Sequence, residues 1–411
     1  MDTLYPRAAG LDVHKGTVVA CARYLDPSGK PREAVRTFSG MTRDLLEMAD
    51  WLAGHGVTHA AMESTGVYWK PVFHVLEGRF QVILVNAQHT KQVPGRKTDV
   101  KDCQWIAQLL QHGLLRASFV PPQPVRELRD LTRQRAQLIG ERAAAASRIQ
   151  KVLEDCNIKL AGVASDVLGA SGRDMLEALI AGETDAEKLA QLARQRLRAK
   201  IPQLRLALAG RVTEHHRFLL RMHLGHIGHL EGLIGRLGGR IGEALAPFAE
   251  AAARLQTTPG ISERVAQAVI AEVGPDMKRL PSAQQLASWA GMRPGNNESA
   301  GKRKSGRSRK GNRWLKAMLV QAAWSASRKR GSYLAAQFRR LSKRRGRKRA
   351  LVAVGHTMLV IIYHVLKGGT TYAELGEDFL DRQDPERLTR QLVRRLEGLG
   401  HKVTLEPRPA A

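Results

Sequence analysis

The sequence predicts a mixed α/β domain at the N-terminus, then an α-helical coiled-coil region, then a mainly α-helical, basic C-terminal domain. Three observations predict it. Short apolar strands alternate with helical spacing over residues 1–122. Apolar residues at heptad spacing begin just beyond Pro121, Pro122 and Pro124. From Ser299 to Ala373 there is no acidic residue, while lysine and arginine are dense.

Taken in order, Ala8–Val13 and Thr17–Tyr24 read as strands joined at Lys15-Gly16, and Arg32–Phe38 as a third. Asp44–Leu52 has helical spacing through Leu45, Met48, Ala49 and Leu52. Thr58–Met62 is a short apolar strand ending at Glu63; Val67–Leu76 reads as a helix, Gln81–Val85 as a strand and Val100–Gln111 as an amphipathic helix. Three strands followed by alternating helices and strands give a mixed α/β layer structure.

This order bears on four acids: Asp12, Glu63, Asp99 and Asp102. Asp12 falls late in the first strand and Glu63 closes the fourth, so both emerge from one sheet edge if those strands are neighbours. Asp99 and Asp102 are three apart and share one face of a helical turn. Singly, each could be a helix-end charge or the partner of a basic neighbour. Jointly they point to a divalent-metal site for displacement at phosphorus, and all-oxygen ligands suit Mg²⁺ or Mn²⁺ better than zinc.

The 411 residues leave room for more than one domain. A formal charge of +28 and a pI near 10.7 imply a polyanionic partner, because neutralising phosphates releases condensed counterions. Cys21, Cys103 and Cys156 are odd in number and unpatterned, which argues against a disulfide framework or a cysteine zinc site and for a cytoplasmic, reduced setting. No signal peptide is expected. The longest apolar stretch, Leu351–Val365, is interrupted by Gly355, His356 and His364, so no membrane span is expected.

In residues 123–255, one seam runs through Leu128, Leu131, Arg135, Leu138, Arg142, Ala145, Ile149, Val152 and Cys156; a second runs through Ile227, Leu230, Ile234, Leu237 and Ile241. They read as an antiparallel hairpin or a dimer-forming coiled coil. Its two arginines suggest that part of the face meets nucleic acid or a partner chain. Ala186–Leu208 reads as helix broken at Pro202. His215, His216, His223, His226 and His229 have no accompanying carboxylate motif and read as surface or interface residues.

In residues 256–380, Thr258-Pro259-Gly260-Ile261 opens a turn into a helix over Glu263–Val273, with a second over Ser282–Ala290. Then comes a basic loop holding Ser299, Ser305 and Ser308 among Lys302, Arg303, Lys304, Arg307, Arg309 and Lys310. A serine there could be a nucleophile whose alkoxide the cations stabilise, or a hydroxyl that contacts phosphate. The residue types alone do not choose among the three. Trp314–Ser327 and Leu351–Leu366 read as helices, with a basic run over Arg339–Arg349 between them. Residues 381–411 read as a polar appendage.

At these residues the chain resembles the insertion-sequence 110 family of transposases, DEDD-type RuvC-like recombinases directed by a structured non-coding RNA. Its markers are Gly-Leu-Asp-Val-His-Lys (10–15), Glu-Ser-Thr-Gly-Val-Tyr-Trp (63–69), Val-Asn-Ala-Gln-His-Thr-Lys (85–91), Arg-Lys-Thr-Asp-Val-Lys-Asp (96–102), Thr-Pro-Gly-Ile (258–261), Asn-Asn-Glu-Ser-Ala-Gly-Lys-Arg-Lys-Ser-Gly-Arg (296–307) and Lys-Gly-Asn (310–312). The resemblance implies a ribonuclease-H/RuvC-like domain, a coiled-coil region and a C-terminal transposase domain. It places the metal-binding quartet on Asp12, Glu63, Asp99 and Asp102, and the nucleophile on Ser299. It also implies a bacterial, nucleoid-associated protein, donor and target DNA, a non-coding guide RNA, and a dimer or tetramer with a site composed across protomers. Cys103 stands where the family pattern has a small alanine. The alternative function is a Mg²⁺-dependent junction-resolving nuclease that cuts without rejoining.

Overall fold

The computed structural model describes residues 3–64, 66–86, 101–295, 297–299, 301–305, 308 and 310–406, with the backbone alone at 101, 297–299 and 303–305. The chain divides into two compact units, Met1–Val120 and Pro121–Ala411.

In the first unit five strands form one sheet: β1 Arg7–Val13, β2 Thr17–Leu25, β3 Pro31–Ser39, β4 His59–Glu63 and β5 Gln81–Val85. Their order is β3-β2-β1-β4-β5. β1 pairs antiparallel with β2 and parallel with β4, and β4 pairs parallel with β5. The short β1–β2 link permits the antiparallel hairpin, whereas the parallel pairs need the crossover helices α1 Thr42–Gly54 and α2 Trp69–Leu76. Alternation along the strands divides the two faces. Ala9, Leu11, Ala60, Met62 and Leu84 join a core with Leu45, Met48, Leu52 and Leu76 of α1 and α2. Ala8, Ala61 and Val85 turn the other way, against Ile106 and Leu110 of α3, Lys101–Gln111. Cys21 packs on that second face with Cys103 and Ala107.

Among the described residues of the second unit, the regular elements are helices and one hairpin. Two long helices, Gln123–Asp155 and Glu214–Leu245, run antiparallel: Arg142 bonds Glu231 near their middles and Asp155 bonds His216 at one end. The seam residues Leu128, Leu138, Ala145, Ile149 and Val152 are buried, as are Ile227, Leu230 and Ile241. The sequence suggested that the seam arginines contact nucleic acid or a partner; in the structure they are used within the chain. Arg135 is buried and donates to Gln267 Oε1 at 2.8 Å. The expected break at Pro202 also differs. Helix Ala186–Gln191 ends earlier, a 3-10 segment covers Gln195–Lys200, and Pro202 lies in the first turn of helix Ile201–Leu208. There its missing N–H costs nothing and its fixed φ favours initiation.

Helices Glu263–Val273, Ala283–Trp289, Arg313–Ala326, Tyr333–Arg345 and Arg347–Gly368 build the rest of the core. Gly260, at φ +85°, lies against the last turns of Arg313–Ala326: a Cβ there would come within 2.3 Å of the Ala322 carbonyl oxygen. Arg347–Gly368 is 22 residues, long and apolar enough by length and composition to cross a membrane, which the sequence reading did not anticipate. Its Ala350, Val354, Met358, Leu359 and Ile362 are buried among the neighbouring helices, as a core helix would be.

Candidate active site: carboxylates at the ends of parallel strands

The parallel register sets Leu11 opposite Met62, so Asp12 and Glu63 follow side by side on adjacent strands. Both belong to the α3-facing set, since Leu11 and Met62 point to the opposite core. Asp102 is in the first turn of α3, the helix that covers this face. Its approach depends on Gly10, two residues before Asp12 and on the same side of β1. A Cβ on Gly10 would lie 2.0 Å from the Cys103 carbonyl oxygen and 2.4 Å from the Ala107 nitrogen. Gly-Leu-Asp thus joins a residue that lets the helix in to the acid beneath its N-terminus. Cys103 and Ala107 are fully buried, so only small side chains suit this contact.

The electrostatics agree with the geometry. Burial raises the Asp12 pKa above its usual value; His14 opposes the shift, while the charges of Asp102 and Glu63 add to it. Asp12 therefore feels both other carboxylates. His14 Nε2 lies 3.1 Å from Asp12 Oδ2. Sequence reasoning quoted His14 within a motif without giving it a role; the signal was its place just past the end of the strand that carries Asp12.

Asp99 lies outside the described residues. Among the described residues no group of three His, Cys, Asp or Glu side chains closes into a ready metal cage. The donors are nonetheless the right kind: carboxylate oxygens with like-charge crowding at Asp12, which a hard divalent cation would relieve.

The C-terminal serine falls on a hairpin rather than the expected open loop: β6 Asn297–Ser299 pairs antiparallel with β7 Lys302–Ser305, and Ser299 is opposite Lys302. Gly301 turns the chain with φ +72°. Lys302 and Lys310 are exposed. Arg303, Lys304 and Ser305 lie on β7, and Arg307 and Arg309 fall outside the described residues. Ser308 Oγ accepts a hydrogen bond from Lys316 Nζ at 3.2 Å.

The return of this segment is tied down firmly. Gly311 lies so close to Gly291 that a Cβ would meet its nitrogen at 2.3 Å. Asn312 Oδ1 caps helix Arg313–Ala326, and its Nδ2 donates to Glu272 Oε2 at 2.5 Å. Glu272 is buried and also accepts from Arg133 Nε at 2.7 Å and Arg133 Nη2 at 2.8 Å. Arg129 is 3.4 Å away and donates to the Glu272 backbone carbonyl at 2.6 Å. Burial, partly offset by Glu272, lowers the Arg129 pKa to about 10.

Comparison with known families places this architecture. A DEDD-type IS110 transposase model matches residues 9–158, and a model described as Transposase IS116/IS110/IS902 family matches residues 252–339. The first match includes Asp12, Glu63, Asp99 and Asp102; the second includes Ser299. No curated protein sequence matches the chain. The class so defined is a transposase, an enzyme acting on DNA. The chain belongs to the IS110 family.

Proposed function

We propose that this transposase cleaves and rejoins DNA strands to excise and insert its own insertion sequence, using the acidic quartet and Ser299 and directed by a non-coding guide RNA. The observation that carries the reading is the parallel β1–β4 pairing. It sets Asp12 beside Glu63, and Asp102, in the first turn of α3, is near enough for its charge to act on Asp12. The antiparallel-then-parallel order β3-β2-β1-β4-β5 supports a ribonuclease-H/RuvC-like assignment. Residues 123–255 serve as the coiled-coil region, 256–380 as the transposase domain and 381–411 as an appendage.

Asp12, Glu63, Asp99 and Asp102 would hold Mg²⁺ or Mn²⁺, which when bound supplies charge stabilisation at the phosphoryl oxygens. The chain's own groups do the rest. His14 holds Asp12 in place at the strand end. Ser299 Oγ attacks phosphorus, the phosphodiester P–O bond breaks, and the released strand end departs as a hydroxyl while the phosphate stays esterified to the serine. Attack by a second strand's hydroxyl reverses the step and frees Ser299. Lys302, Arg303, Lys304, Arg307, Arg309 and Lys310 follow the serine closely in sequence and supply positive charge that would favour both alkoxide and phosphate. Donor and target DNA and the guide RNA supply the polyanions that a charge of +28 calls for. The active species is a dimer or tetramer, associated with the nucleoid.

An in-cell excision assay with the gene in its native flanking DNA tests this. Circle junctions should form with the intact chain and vanish with Asp12→Ala and with Ser299→Ala. Junctions that persist with Ser299→Ala would remove the serine from the chemistry. Mg²⁺-dependent cutting with no protein–DNA adduct would favour the junction nuclease.

A further inference from the structure

Within the C-terminal unit, an open cleft of about 1110 Å³ is lined by Lys316, Arg345, Lys348, Arg349, His356 and Ser308, with an apolar floor. It draws on Met292 and Pro294, on Ser308, on helix Arg313–Ala326 and on the two helices that meet at Gly346. Among the described residues no carboxylate lines it. Arg345, Lys348 and Arg349 are exposed and make no ion pair with any described residue. On the same helix as Arg345, Arg339 is instead paired with Glu377, so the lack of acids is local to the cleft. Lys316 Nζ is already oriented, donating to Gly291 O and Ser308 Oγ, both at 3.2 Å. Gln337 Nε2 bonds Thr357 Oγ1 at 2.9 Å and braces two walls against each other.

One placement runs against the ordinary stability rule. Arg347, Lys348 and Arg349 occupy the first turn of a 22-residue helix with no acidic residue there and no side-chain cap. Cations are disfavoured at that end because the helix dipole is already positive. A local rule broken without internal compensation marks a site whose compensation comes from a ligand. His356, in the cleft wall, has its pKa lowered by burial and then by the Arg293 charge.

We propose that this cleft binds the phosphodiester backbone of a nucleic-acid strand and leads it past the serine segment. The inference rests on the reading of the chain as a nucleic-acid strand-transfer enzyme. Among the described residues no Phe, Tyr or Trp lines the cleft, so large stacking platforms for bases are not part of its described wall. The contacts are with phosphates, and binding at the cleft is indifferent to sequence and sensitive to salt. DNA and RNA share this backbone chemistry.

The test compares two full-length triple variants with equal loss of charge. One is Arg345→Gln/Lys348→Gln/Arg349→Gln. The other is Arg387→Gln/Arg394→Gln/Arg395→Gln, on the exposed helix Pro385–Glu397. Affinity for labelled single-stranded DNA, RNA of the same sequence and duplex DNA is measured across a KCl series. Three lost phosphate contacts should weaken binding on the order of 10- to 100-fold near physiological salt and flatten the log K–log salt slope by about 2 to 3. The control should change affinity by less than about 3-fold. The nucleic acid showing the loss identifies which strand occupies the cleft. The cleft variant should also keep or raise the thermal midpoint, since it removes cations from a helix N-terminus; a structural role would lower it. Equal affinities and slopes for the two variants overturn the proposal while leaving the transposase reading intact. An intact chain that binds none of the three nucleic acids overturns both.

Discussion

Two carboxylates in this molecule, Glu272 and Asp12, sit in opposite company. Glu272 is fully compensated: Arg133 grips both oxygens, Asn312 adds a third donor, and Arg129 closes the side. Asp12 has two further carboxylates for neighbours and an exposed histidine, His14, as its hydrogen-bond partner. The first arrangement is complete without a ligand and ties helix Gln123–Asp155 to the segment that follows the serine hairpin. The second gathers like charge: Asp12 feels both Glu63 and Asp102. The cationic cleft gathers charge of the opposite sign.

The largest effect is expected at Glu272. Glu272→Ala leaves Arg129 and Arg133 without their buried counter-charge and should cost about 3–5 kcal/mol in urea unfolding. A loss under about 1 kcal/mol would show the pair to be dispensable. At the other carboxylate the sign changes. Asp12→Asn relieves crowding and should leave stability within about 0.5 kcal/mol while abolishing excision. Gly10→Ala comes between in effect. Forcing α3 off β1 should cost about 1–3 kcal/mol and reduce excision as well, through displacement of Asp102. The smallest effect concerns His356. Its folded pKa is lowered, so the folded state disfavours the protonated ring, and stability attributable to this group is lost as pH falls through 6.5, the ordinary histidine value. The cause is burial of the ring first and the Arg293 charge second. His356→Gln should flatten that part of the stability–pH curve; an unchanged curve would show that the buried ring does not contribute to it.

Much of the sheet was legible in the sequence because local pattern determines it. Alternation gave β1, β2 and β4 to within a residue or two, and with them the placing of Asp12 and Glu63 at strand ends. The neighbourhood of those strands was conditional in the sequence, since pairing partners are not encoded locally. What escaped has long-range causes. The role of Arg133 depends on Glu272, 139 residues away in sequence. The β6–β7 hairpin carries no apolar alternation, so its charged and small residues read as loop. Pro202 looked like a break because proline at a helix start and proline in a helix interior are the same letter. The cleft is assembled from segments that have nothing in common in sequence but their lack of acids.

The central claim is that the carboxylates on β1, β4 and α3 form a divalent-cation site. Calorimetric titration of the full-length protein with Mn²⁺, alongside Asp12→Asn and the distant control Asp26→Asn, tests it without depending on catalysis. The intact chain and Asp26→Asn should bind saturably, with affinity weakened at least about 10-fold by Asp12→Asn, a loss of about 1.4 kcal/mol or more. Equal binding by all three proteins would contradict it.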